Sequence, residues 1–445
     1  MRLTPLLLAL PLAVALFSGC LDGDSGSNPE STTDSNYTYT GVRPASVWPA
    51  IQDLMADVPC EAPVGDDTST NLVQLANISY PEASGMHAEI DIRGTLAVHA
   101  RYGTGGFEII DITNPLQLRH LGNFTLDQNE GALDVKFSPD NATVLYGADG
   151  GIVMVDIRDP LNPTFAGRWN FTDAAVTTDP LPRVSENSHM LYTKRIADQD
   201  WVFLAPNSNT GVWILKLEGP PEARTLTYVT QTLPVEGGPL GPHDMFVTQD
   251  EVDGNWYLYS ADGFHGWTVF NVNDPANPAL AGGIANPVEG AYTHTIQAQW
   301  INGRRLVATI GEVGANALKV YDATLLEAPL LLAVYQAEPG PGSTAPEHNF
   351  NMVGGKLYLS YYTLGVYVFD LTQLSGIPVV GTAELSPVAH YGNNPESAPT
   401  ALAFAEIWDT VLQDGLLYLS NIDGGLFVVG YGCNVVPDAT LTSTG

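Results

Sequence analysis

Nine histidines occur in the chain, and five of them open short apolar segments of the same kind. These are His87-Ala-Glu-Ile, His189-Met-Leu-Tyr, His243-Asp-Met-Phe, His294-Thr-Ile-Gln and His348-Asn-Phe-Asn. Two further segments open on acids, Asp134-Val-Lys-Phe and Glu406-Ile-Trp-Asp. Imidazole nitrogens with a carboxylate are a ligand set for Zn, Cu, Fe or Mn. Seven groups cannot all reach one ion, so three or four ligands are expected, with the remainder orienting them. Repeats also copy residues by descent, so an inert structural histidine is the competing explanation. His99, His120 and His390 fall outside the pattern and are assigned no role.

The elements that must position these groups are repeated strands. One phrase recurs: a Gly, an apolar strand, an acid or amide, then Asn/Asp-Pro. It reads Gly106-Phe-Glu-Ile-Ile-Asp111-Ile-Thr-Asn-Pro115 and Gly151-Ile-Val-Met-Val-Asp156-Ile-Arg-Asp-Pro160. A third clear copy is Trp267-Thr-Val-Phe-Asn271-Val-Asn-Asp-Pro275, and degenerate copies end at Lys216, Asp322, Asp370 and Gly430. The intervals between copies run from 45 to 60 residues, one four-stranded propeller blade each. The phrase is the third strand of a blade. Second strands precede it, such as Thr95–Ala100 and Trp256–Ser260. Fourth strands follow the Pro turn, starting at Leu121, Phe165, Leu280, Leu332 and Val380. The expected fold is all-β, a single seven-bladed β-propeller of four-stranded blades. Its first strands line the channel, so the histidines, Asp134 and Glu406 would form a ring at one mouth.

The seventh copy stops at its third strand, while Leu72–Ser79 reads as a fourth strand standing before the first copy. That N-terminal strand would complete the last blade and leave no propeller edge unpaired. The same closure brings Cys60 beside Cys433, so a disulfide is expected there. The third cysteine, Cys20, has another use. Arg2 and an apolar run from Leu6 to Phe17 precede Phe17-Ser18-Gly19-Cys20, which resembles a lipobox. The run is too short to span a bilayer. The expected layout is a lipoprotein signal peptide at 1–19 and a disordered tether at 20–45. A lead-in with a short helix at 46–71 and the propeller at 72–433 follow, with a tail at 434–445. Cys20 would carry the lipid, giving an extracytoplasmic protein on the cell surface or in the periplasm, held to the membrane by its anchor alone.

The phrase Phe107-Glu-Ile-Ile-Asp-Ile-Thr-Asn-Pro, with its Val-Met-Val-Asp-Ile copy, resembles the LVIVD-repeat family of surface propellers over roughly residues 70 to 432. That resemblance implies architecture and says little about activity. The arrangement of histidines is similar in outline to propeller metalloenzymes that gather histidines from different blades, such as carotenoid-cleaving oxygenases and nitrous oxide reductase.

Seventeen Lys and Arg stand against 49 Asp and Glu, a net charge of −32. Such a surface repels phosphate backbones, so nucleic acid is excluded as a partner. A monomer is expected, with a small ligand or a surface protein as partner. The loops after the second strands should share one face. They supply the candidate ligand-binding residues Arg101, Asp262, His265, Glu312, Tyr362 and Asp423. Sequons stand at Asn36, Asn77, Asn123, Asn141 and Asn170. There is no phosphate loop, nucleophile elbow or calcium loop. The readings that remain are a metal- or ligand-binding module, a metal-dependent oxidoreductase or hydrolase, and an inert adhesive propeller.

Overall fold

The computed structural model describes residues 37–60, 71–80, 85–126, 131–173, 188–206, 211–232, 241–285, 291–312, 317–336, 347–362, 364–376, 382–392 and 407–434. Cys20, Asn36, Asn207 and Glu406 lie outside these residues, as does the apolar leader.

The described strands form seven antiparallel sheets, the blades of one propeller. Blade 1 runs Met86–Arg93, Leu96–Tyr102, Phe107–Asp111 and Arg119–Phe124. The first strands of blades 2 to 7 are Val135–Phe137, Met190–Ile196, Asp244–Gln249, Thr295–Ile301, Phe350–Val353 and Ile407–Gln413. Apolar clusters fill the spaces between neighbouring blades. One example joins Val98, Phe107 and Ile109 of blade 1 to Val135, Val144 and Val153 of blade 2.

The recurring phrase has a physical basis. Gly106 has φ +78°, and a Cβ there would meet the Phe124 carbonyl oxygen at 1.8 Å. Gly151 stands equally close to the Trp169 carbonyl, at 1.9 Å. The third and fourth strands therefore approach at a point where no side chain fits. The acid that ends the strand caps the next turn: Asp111 accepts from Thr113 N–H at 2.7 Å, and Asp156 from Arg158 N–H at 3.1 Å. The Asn or Asp before Pro repeats the device, Asn114 accepting from Leu116 N–H and Asp159 from Leu161 N–H, both at 3.1 Å.

The ring closes as the sequence implies. Leu72–Ile78 pairs antiparallel with Gly425–Tyr431, from Leu72↔Tyr431 to Ile78↔Leu426, and supplies blade 7 with its fourth strand. A Cys60–Cys433 disulfide, Cα–Cα 4.3 Å, ties this junction. The lead-in helix, Val47–Met55, buries Val47, Trp48 and Ile51 against blades 1 and 7.

Blade 6 departs from expectation. The fourth strand was expected from Val380, which lies outside the described residues. Ala383–Glu384 instead pairs in parallel with Leu330–Tyr335, as a fifth strand of blade 5. Ala389–Tyr391 takes the fourth position of blade 6. The short helical turn Leu371–Gly376 stands where other blades have a Pro turn, and it delays the return of the chain.

Polar side chains lace the first strands together around the channel. Asp409 of blade 7 accepts from Ile90 N–H of blade 1 at 3.4 Å, and Asp91 of blade 1 from Phe137 N–H of blade 2 at 2.8 Å. Asp134 of blade 2 accepts from Leu191 N–H of blade 3. Gln297 of blade 5 bonds both Phe350 C=O, at 2.7 Å, and Met352 N–H, at 2.8 Å, in blade 6. These bonds satisfy buried backbone groups at the channel wall.

Candidate functional site: a histidine arc in the channel

Four consecutive blades, 3 to 6, present a histidine at the same level. The backbone N–H of His189, His243, His294 and His348 bonds Ala205, Ala261, Ile310 and Ser360 C=O on the second strand of the same blade. Because the register is shared, the rings follow one another around the channel. Ring centroids are 4.1 Å apart for His189–His243, 3.9 Å for His243–His294 and 4.6 Å for His294–His348. The Nε2 atoms of His189 and His243 approach to 2.6 Å. At that distance one imidazole N–H donates to the lone pair of the other; two nitrogens sharing a metal at about 2.0–2.1 Å each would stand about 3.3 Å apart. One ligand atom each from His243, His294 and Glu312 lies within 4.8 Å of the others.

The remaining blades close the other side of the channel. Asp134 bonds Gly147 N–H, as the register of Asp244 with Ala261 requires, so it stands one residue past the histidine level. Leu133 occupies that level instead. Asp134 is wholly buried, laced to blade 3, and paired with Lys136. His87 is in register with Arg101, but a bulge between His87 and Ile90 turns it away from the arc. Its ring packs on Tyr80 and His99, with centroids at 4.6 and 4.7 Å. The same bulge sends Glu89 into the channel, where it accepts from Asn349 and, at 3.1 Å, from Trp408 Nε1. A second bulge at Ile407/Asp409 places Trp408 beside His348, with ring centroids 4.3 Å apart. The expected ring of seven is thus an arc of four imidazoles facing Leu133, Trp408 and Glu89. They enclose a cavity of about 10 Å³, room for one water-sized particle.

The loop residues divide. Glu312 reaches the arc, its carboxylate 3.3 Å from His294 Nε2, and Tyr362 O–H donates to Glu312 at 3.1 Å. Tyr362 also packs on His348, at 4.7 Å between centroids. Asp262 serves its own turn, accepting from Ser260 at 2.6 Å and Thr268 at 2.7 Å. Asp423 is exposed. His265 Nε2 is buried with no partner among the described residues. Arg101 belongs to a separate cluster in blade 1. There Glu108 holds His120 at 2.7 Å and Arg101 at 3.4 Å, while Tyr80 and Ser420 hold the two nitrogens of His99, at 3.0 and 2.7 Å. The third-strand carboxylate Glu108, opposite His99 in the sheet, was the sequence signal for this cluster. His390 is elsewhere, stacked on Tyr367 and bonded to Leu364 C=O.

Burial keeps three of the four imidazoles neutral. Burial holds the His189 imidazole at about 4 and His348 at about 3, each further lowered by His294. Burial, then His294 and His189, push His243 well below the ordinary range. Burial alone would raise Glu312, but the His294 hydrogen bond and the neighbouring imidazoles outweigh it and hold the carboxyl at about 2. Neutral imidazoles beside an ionised carboxylate are the protonation states a cation requires of its ligands. His348 Nδ1 bonds Trp408 C=O at 2.8 Å and His294 Nδ1 bonds Thr295 Oγ1 at 2.8 Å, which fixes both rings. Nδ1 of His189 is buried with no partner among the described residues.

Residues 145–171, from the second through the fourth strand of blade 2, match the family model for the LVIVD repeat. Nothing matches among curated proteins. Similar solved structures include the computationally designed Ika8 protein, at 10% identity and TM-score 0.48, over 80% of this chain and 99% of that one. Dihydro-heme d1 dehydrogenase NirN in complex with DHE is similar at 15% identity and TM-score 0.47, over 77% of this chain and 63% of that one. The chain is a seven-bladed β-propeller that carries an LVIVD repeat in its second blade.

Proposed function

We propose that the protein is a lipid-anchored, extracytoplasmic metal-binding propeller that holds one transition-metal ion in its channel. The ligands are drawn from His189, His243, His294 and Glu312, with His348 and Tyr362 orienting them. The carrying observation is the convergence of one ligand atom each from His243, His294 and Glu312 within 4.8 Å of one another; His189, hydrogen-bonded to His243 at 2.6 Å, stands beside them. An imidazole-rich set with one carboxylate suits Zn, Cu, Fe or Mn, and the binding order favours copper or zinc. The cavity of about 10 Å³ beside His243 and His294 has room for an ion-sized particle and not for a substrate, and Glu312 stands outside its lining, 3.3 Å from His294 Nε2. That favours binding over turnover.

The anchor rests on Cys20 behind its apolar run. The Cys60–Cys433 disulfide suits the oxidising compartment to which such an anchor delivers.

Elemental analysis tests the metal reading. Purified protein supplied in turn with Zn, Cu, Fe and Mn should retain about one ion per chain, and His243→Ala and His294→Ala should each reduce this to trace while circular dichroism is unchanged. Failure to retain any of the four metals overturns the reading.

A further inference from the structure

At the opposite end of the channel strands a second cleft, of about 230 Å³, lies between blades 4, 5 and 6. Its walls combine aromatic faces with hydrogen-bonding groups. Phe246, Tyr259 and Trp300 supply the faces, and Glu251 and Gln299 stand among them. Nothing in the metal site uses these residues, because they come from the far ends of the first strands and from the hairpins that follow.

The cleft is built rather than incidental. Asp250 holds its floor: its carboxylate accepts from Trp300 Nε1 at 2.6 Å and from Arg305 Nε at 2.9 Å. Arg305 is buried, also pairs with Asp253 at 3.3 Å, and lies over the Trp300 ring at 5.0 Å. Trp300 is thereby fixed by a hydrogen bond at its edge and a guanidinium on one face. Gln299 uses its carbonyl oxygen to accept Gly355 N–H at 3.0 Å, which leaves its amide donors free. Tyr259 is the decisive residue. It is 1% exposed and lines the cleft, yet its hydroxyl has no hydrogen-bond partner among the described residues. The hydroxyl is open to the cleft, so a ligand hydroxyl there would take the place of cleft solvent as its hydrogen-bond partner.

We propose that this cleft binds a small neutral polyhydroxylated ligand of about one sugar ring. Its volume lies below the range of about 300–1,000 Å³ common for larger ligands. Charge selects the class. Asp250, Glu251 and Asp253, within a chain of net charge −32, oppose an anion. The Arg305 guanidinium in the wall opposes a compact cation. A sugar hydroxyl both donates and accepts, so it can answer Tyr259 and Gln299 together. The aromatic faces suit the apolar C–H side of the ring.

The test is calorimetric titration of the full chain with the methyl glycosides of glucose, galactose and mannose and with N-acetylglucosamine, with choline and citrate as charged probes. At least one neutral sugar should bind in the micromolar to millimolar range. Tyr259→Phe, which changes only the hydroxyl, should weaken it about five- to tenfold, and Trp300→Ala should abolish it. Tyr259→Phe keeps the test sound where Trp300→Ala misfolds. No heat from any neutral sugar, choline or citrate binding in preference, or unchanged affinity in Tyr259→Phe would each overturn the proposal.

Discussion

Reduction of the Cys60–Cys433 disulfide, or the double change Cys60→Ser with Cys433→Ser, should loosen the whole propeller. The bridge spans 373 residues of sequence. In the chain-entropy description a crosslink removes about 2.1 + 1.5R ln n cal/mol/K from the unfolded chain, which for this loop is roughly 6 kcal/mol at 25 °C. Unfolding entropy of about 2.1 cal/mol/K per residue over a ring of this size converts that loss to a melting shift of about 8 °C. The bridge also holds the strand Leu72–Ile78 on Gly425–Tyr431. Without it, blade 7 exposes an unpaired edge more readily. Calorimetry of oxidised and fully reduced protein, with thiols counted, measures the shift. A melting point that moves by less than about 1 °C on complete reduction would refute the account, because the closure would then owe nothing to the bridge.

Three further outcomes follow from the geometry. Glu312→Gln removes the one carboxylate among the convergent ligand atoms and should weaken metal binding more than Tyr362→Phe, which removes only the hydrogen bond to Glu312 and should cost about tenfold; competition with a chromophoric chelator compares the two. Burial would raise Glu108, but His120, His87 and Arg101 hold it at about 2, so its contribution is present above about pH 4.5 and disappears as pH falls toward 2. Glu108→Gln should flatten that acid limb by roughly 3 kcal/mol, read from urea midpoints at several pH values. Asp91→Ala leaves Phe137 N–H unpaired between blades 1 and 2 and should cost about 1–3 kcal/mol in the same assay.

The architecture was legible because the repeat encodes backbone necessities. Gly106 and Gly151 stand where a Cβ would strike a carbonyl, and Asp111 and Asp156 cap the turns that follow. Such constraints act over a few residues, so they survive as a readable phrase. The closure was legible for a related reason, since a missing fourth strand at one end and a spare strand at the other admit a single pairing. Glu312 and Tyr362 were also reachable from the sequence, because the second-strand loops share a face. Their joint approach to the arc, through Tyr362 O–H to Glu312 and Glu312 to His294, depends on side-chain reach and could not be read from spacing.

Register decided what the sequence could not. Asp134 and Glu406 align with the histidines when counted along the chain, yet Asp134 stands one residue further along its strand. His87 has the right partner in the sheet, and the one extra residue that follows it in the bulge still turns it out of the channel. A bulge leaves no mark in apolar alternation, because the strand resumes its period after it. These departures give the site its form. A symmetric ring of seven imidazoles would spread equal ligands around the channel and favour no single point. Four imidazoles on blades 3 to 6, faced by Leu133, Trp408 and Glu89, leave one small space beside them. The repeat supplies the imidazoles, and the two bulges and one substitution that break it confine them to one side of that space.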